Sequence, residues 1–227
     1  LIFVAFSTCL GALMGETSKI TPVPVSEVIS GTPDETVDFK NDLIPMLTKL
    51  GCNAGKCHGS AIGRGDFKLS LYGGTPEADH EEIVRKLGGR RINLSDPESS
   101  LIYTKPAEYV EHGGGTVIDA DDENARLLIK WIQQGAKNIH LRKLERIEVK
   151  PERLVARQIG AQTTLQVLAH YDDGLTRDVT NLTQFVSDDS SAVTIDSNSA
   201  TAKVIRPGRH IVIARYSTEV VPIELVV

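Results

Sequence analysis

The stretch Gly51-Cys52-Asn53-Ala54-Gly55-Lys56-Cys57-His58-Gly59 decides how this chain of 227 residues is read. A third cysteine, Cys9, lies far away in an apolar run, so Cys52 and Cys57 stand as a pair, with a histidine directly after the second. Covalent haem attachment needs two thiols that reach the two vinyl groups and an imidazole beside the second thiol to ligate the iron. Its usual spacing is C-x-x-C-H. Here the spacing is C-x4-C-H, and Ala54-Gly55 offer backbone freedom to pack the longer loop. Two other chemistries stay open. Zinc would use Cys52, Cys57, His58 and a fourth ligand, although adjacent Cys57 and His58 rarely face one tetrahedral centre. A disulfide or redox pair leaves His58 and the flanking glycines unexplained.

An iron held by His58 has a second axial position to fill. Met14 belongs to the N-terminal apolar run, and Met46 precedes Cys52 on the helix feeding the loop, the wrong side for a distal ligand. The other histidines are His80, His112, His140, His170 and His210. His80 shares a helical face with Ile83, Val84 and Leu87, which suits a core histidine as well as a ligand. His112 sits in Glu111-His112-Gly113-Gly114-Gly115, a glycine loop before the last helix, and is the foremost candidate. His80 and an open or water-bound position are the alternatives.

Working outward from the cysteines, residues 38–136 read as mostly helical. A short helix with Asp42 as its cap carries Leu43, Ile44, Leu47 and Leu50. A second begins at Thr75-Pro76, and a short third follows Ser95-Asp96-Pro97-Glu98. The last spans Asp122 to Gln134, with Leu127, Leu128, Trp131 and Ile132 on one stripe. Phe67, Leu69 and Leu71 alternate with polar residues and predict an extended excursion. From residue 144 to 227 the pattern has period two, as in Ile147/Val149 and Leu165/Val167/Ala169. Asp172-Asp173-Gly174 and Pro207-Gly208 supply turn signals, and the strand spacing predicts a β-sandwich able to fold alone.

The N-terminal residues 1–19 are an apolar run that turns polar, the pattern of an export signal or an uncleaved membrane anchor. Residues 20–37, with three prolines, read as a linker. The mature part is therefore expected to be exported, periplasmic or at the cell surface. A net charge of −5 gives no electrostatic footprint for nucleic acid. Arg90-Arg91 fit either haem propionates or a solvated pair. Asp172-Asp173 and Asp188-Asp189 fit turns better than calcium.

Three segments together carry a family resemblance: Gly51 to Gly59, Asp96-Pro97-Glu98-Ser99-Ser100-Leu101-Ile102-Tyr103, and Leu127 to Ala136 (LLIKWIQQGA). Over residues 38–136 they resemble the planctomycete-type cytochrome c domain, a class I-like haem fold of large exported proteins. In that family a Met-Pro-Pro loop before the last helix supplies the distal ligand. This sequence has His112-Gly-Gly-Gly at the matching place, so the resemblance implies that histidine replaces methionine. Residues 144–227 are similar to group 2 bacterial immunoglobulin-like domains, which serve as spacers or adhesive units.

The resulting expectation is a class I-like cytochrome c helical domain followed by an immunoglobulin-like β-sandwich. It carries one covalent haem c on Cys52 and Cys57, with His58 and His112 on the iron. Its expected role is electron transfer to redox partner proteins, without enzymatic activity of its own. The β half is expected to contact carbohydrate or protein, if it contacts anything. The competing readings are an adhesive or scaffold protein whose haem domain senses redox state or a ligand, and a zinc-stapled structural domain.

Overall fold

The structure, a computed structural model, describes residues 36–156 and 158–226. The apolar run and most of the proline-containing linker lie outside the described residues. No helix among the described residues is long and apolar enough to cross a membrane. The chain is a set of short helices followed by β-sheets.

The helical half opens with a π-helical turn, Phe39–Leu43, that runs into α1, Ile44–Lys49. Its cap is Asp38 and not Asp42: the Asp38 carboxylate accepts from the amides of Lys40 and Asn41, both at 2.9 Å. Asp42 instead lies one turn inside and accepts from the Asp38 amide at 2.8 Å. A further turn of helix upstream thus comes from a cap that short-range reading placed four residues late.

Helix α2, Pro76–Val84, begins with proline at its first position, where a missing amide hydrogen costs nothing. Thr75 precedes it without making a side-chain cap bond. A 3-10 turn, Pro97–Ser99, leads into α3, Leu101–Thr104. Helix α4, Glu123–Gln133, is capped by Asp122, which accepts from the Ala125 amide at 2.7 Å. Its apolar stripe buries Ala125, Leu128, Trp131 and Ile132, with the Trp131 ring 5.5 Å from that of Phe39 between centres. The extended excursion is limited to one bridge, Arg64 with Phe67, followed by a 3-10 turn at Leu71–Gly73.

The β half begins with β1, Leu144–Lys150, and β2, Arg153–Val155. It continues with β3, Gln162–Thr164, β4, Gln166–Tyr171, and β5, Thr176–Asp178. Then come β6, Gln184–Ser187, β7, Val193–Asp196, and β8, Thr201–Val204. It closes with β9, Arg209–Tyr216, and β10, Glu219–Val226. They form sheets in the orders β1-β4-β5, β2-β10-β9-β6 and β3-β8-β7. All pairings are antiparallel except β2 with β10. The period-two reading sets the faces of β9: Val212 and Ala214 point inward while Ile211 is exposed.

The two halves meet through polar contacts. The Tyr216 hydroxyl, fully buried, donates to the Asn41 carbonyl at 2.6 Å and lies 2.8 Å from the Tyr171 hydroxyl. Arg177 is ion-paired with Asp42 at 2.5 Å. Gln184 donates to the Thr48 carbonyl at 2.8 Å, and Lys49 donates to the Asn181 carbonyl at 2.7 Å. These contacts grip α1, the helix that delivers Cys52.

Candidate functional site

Helix α1 stops at Gly51, whose φ of +76° is the left-handed turn that suits glycine. The cysteine loop then winds on itself. The Cys52 amide donates to Leu47 O, the Cys57 amide to Ala54 O, and the His58 amide back to Cys52 O, each at 2.9 Å. The extra length over a C-x-x-C-H loop is absorbed by Asn53, which is fully buried. Its side-chain amide donates to Thr48 Oγ1 at 2.8 Å, and its carbonyl accepts from the Tyr72 amide at 3.1 Å. Gly55 needs no special backbone angle, and a Cβ there would make only an ordinary contact with Leu71 Cδ1 at 3.9 Å. Gly59 is different: a Cβ there would meet Asn53 O at 1.9 Å. The loop is therefore packed by Asn53 and Gly59, not by freedom at Ala54-Gly55.

Cys52, Cys57, His58 and His112 all line one cavity of about 390 Å³. That size is within the range of roughly 300–1,000 Å³ usual for small-molecule and cofactor sites. Leu47, Leu69, Ile102 and Ile118 make its apolar walls. Arg64, Arg90, Arg91 and Lys105 also line it, and among the described residues no acid does. Both cysteines are free thiols. Burial pushes the Cys52 thiol up to about 12, so it stays protonated at neutral pH and is a poor thiolate ligand.

The two imidazoles line this space together, with ring centres 6.3 Å apart and planes 21° from parallel. A metal–imidazole bond is about 2 Å long, so two imidazoles on opposite sides of one ion have ring centres about 6 Å apart. Each ring also has its tautomer set by a backbone carbonyl. His58 donates from Nδ1 to Phe67 O at 3.1 Å, and His112 donates from Nδ1 to Gly115 O at 2.9 Å. Both therefore keep the Nε2 lone pair for a ligand. Burial holds His58 below the ordinary histidine range, with the His112 and Arg91 charges adding to it against the hydrogen bond to Phe67. Glycine at 114 makes room for the second ring, because a Cβ there would meet His112 Cε1 at 2.8 Å.

The remaining histidines are engaged elsewhere. His80 is buried, with Nε2 on Ala136 O at 2.8 Å and its ring edge-on to Phe39. It is a core histidine outside the cavity lining. His140 pairs with Asp38 and Glu77, His170 with Glu148, and His210 with the Arg206 carbonyl. Met46 is fully buried and does not line the cavity. Among the described residues no group of three or more His, Cys, Asp or Glu is arranged to hold a metal ion. Asp173 and Asp189 are taken up by Arg142 and Arg206, as expected of turn acids.

The Arg90-Arg91 pair is split by the structure. Arg90 is exposed at the cavity, while Arg91 is buried and committed to backbone carbonyls, a role the sequence does not announce. No protein-family model matches the chain, and no curated protein matches it.

Proposed function

We propose that this chain is an exported mono-haem c-type electron-transfer module. Cys52 and Cys57 would hold the group through thioethers, and His58 and His112 would ligate its iron. The observation that carries the reading is the pair of near-parallel imidazoles, 6.3 Å between centres, beside two free thiols on one largely apolar cavity. When bound, the group supplies a one-electron iron couple. The protein's own part is to orient the two imidazoles through their Nδ1 hydrogen bonds and to exclude water with the walls around Leu69 and Ile118. The exposed Arg64 and Arg90 offer positive charge to peripheral carboxylates.

The β half is read as an immunoglobulin-like spacer. Its contacts to α1 support a role in holding the redox site at a fixed orientation for partner proteins. The test is an absorption spectrum in alkaline pyridine of protein made with haem-attachment machinery. Haemochrome bands of a thioether-linked haem at one per chain are expected. A colourless protein, or one that loses all its colour on denaturation, would overturn the reading.

A further inference from the structure

We propose that Arg91 is a positioning residue for His58, acting through Phe67. The effect on a bound iron rests on the haem reading above, while the brace itself stands on geometry alone. Arg91 is only 6% exposed. Its Nη1 donates to Glu82 O at 2.8 Å and its Nη2 to Asp66 O at 2.6 Å. The guanidinium carbon lies 4.5 Å above the centre of the Phe67 ring, within cation–π reach. One side chain thus holds the Asp66-Phe67 unit twice, by a carbonyl and by an aromatic face.

That unit is what His58 leans on. Phe67 O accepts the His58 Nδ1 proton at 3.1 Å, and the two rings are 4.6 Å apart between centres. The unit needs holding, because Asp66 has a φ of +54°, a left-handed backbone that a residue with a Cβ adopts at a cost. Arg91 is more than the ion partner of Glu82. The carboxylate of Glu82 is 3.4 Å away, farther than either carbonyl. Bridging two carbonyls while covering a ring needs a planar fork, which lysine lacks. Arg91 is therefore spent on positioning, and Arg90 alone of the pair is left for a ligand's charge.

The test reads the tautomer of His58 by long-range nitrogen–proton correlation in the full chain produced without haem. Wild type is expected to show one form, protonated at Nδ1. Arg91→Gln and Arg91→Lys are both expected to mix the two tautomers, while His112, held by Gly115, keeps its own. In the haem-loaded protein, loss of such a supporting bond weakens a metal ligand roughly 10- to 100-fold. Added imidazole should then replace a protein ligand at correspondingly lower concentration in both variants. If Arg91→Gln fails to fold, Arg91→Lys and Phe67→Leu decide, the latter keeping the carbonyl and removing the ring face. An unchanged His58 tautomer in the folded variants, or a wild type protonated at Nε2, overturns the proposal. A wild type that takes up no covalent haem overturns the proposed function, and the tautomer comparison still decides the brace.

Discussion

Arg177 of β5 lies 2.5 Å from Asp42, a carboxylate buried in the first helical turn. The side chains are 21% and 11% exposed, so the pair is largely withdrawn from water. Removing one partner of such a pair strands the other charge. Arg177→Gln should lower stability to urea by up to about 3 kcal/mol, and Asp42→Asn added to it should recover part of the loss. Additive losses in the double variant would show that the two do not interact.

The same junction bears on the β half alone. A fragment from Lys143 to Val227 is expected to unfold cooperatively, since Val167, Ala169, Val212 and Ala214 bury one another within its own sheets. It should be less stable than the same residues in the whole chain, where Tyr216 is sealed against Asn41. Tyr216→Phe should cost about 1 kcal/mol in the whole chain and less in the fragment. Circular dichroism and urea titration of both forms check this.

The acid limb of stability has a defined sign. Hydrogen bonds from Ser191 hold the Asp189 carboxyl low, and those from Ser199 and Asn198 do the same for Asp196. At Asp178 burial pushes upward, but bonds from Thr180 and Gln166 outweigh it, and the carboxyl ends below its ordinary value. A depressed native value means stability that is complete above the unfolded carboxylate range of about 3.9 and is lost as pH falls through the native one. Unfolding midpoints of Asp178→Asn should therefore fall less steeply than wild type between about pH 4 and pH 2. Parallel acid limbs would contradict this.

Two histidine substitutions separate ligand from core. His112→Ala should open the loaded site to carbon monoxide, and Gly114→Ala should do the same in part by displacing the His112 ring. His80→Ala should leave the low-spin spectrum unchanged and lower stability by roughly 2 kcal/mol, since the Ala136 carbonyl and the edge contact with Phe39 are lost. Carbon monoxide binding by His80→Ala, and not by His112→Ala, would reverse the assignment.

Much of this was legible locally. The Asp122 cap and the stripe of α4 follow from nearest neighbours on a helix, and the alternation in β9 follows from the pleat. Cys52, Cys57, His58 and the His112 loop stood out because their spacing and glycines have few other uses. What escaped was non-local. His80 has the pattern of a ligand or a core residue equally, and only the position of Ala136 settles it. Asp38 outcompetes Asp42 as cap because it also accepts from the Leu141 amide, over a hundred residues away. The buried role of Arg91 depends on Asp66 and Glu82 meeting in space, and nothing in Arg90-Arg91 as a dipeptide foretells it.

Covalent attachment of the proposed haem to Cys52 and Cys57 is tested by the colour that the polypeptide retains after acid-acetone extraction. Wild type should retain its haem, Cys57→Ala should keep at most one thioether, and the Cys52/Cys57 double replacement should give up all of it. Acid-stable haem persisting in the double replacement would rule out attachment through these two thiols.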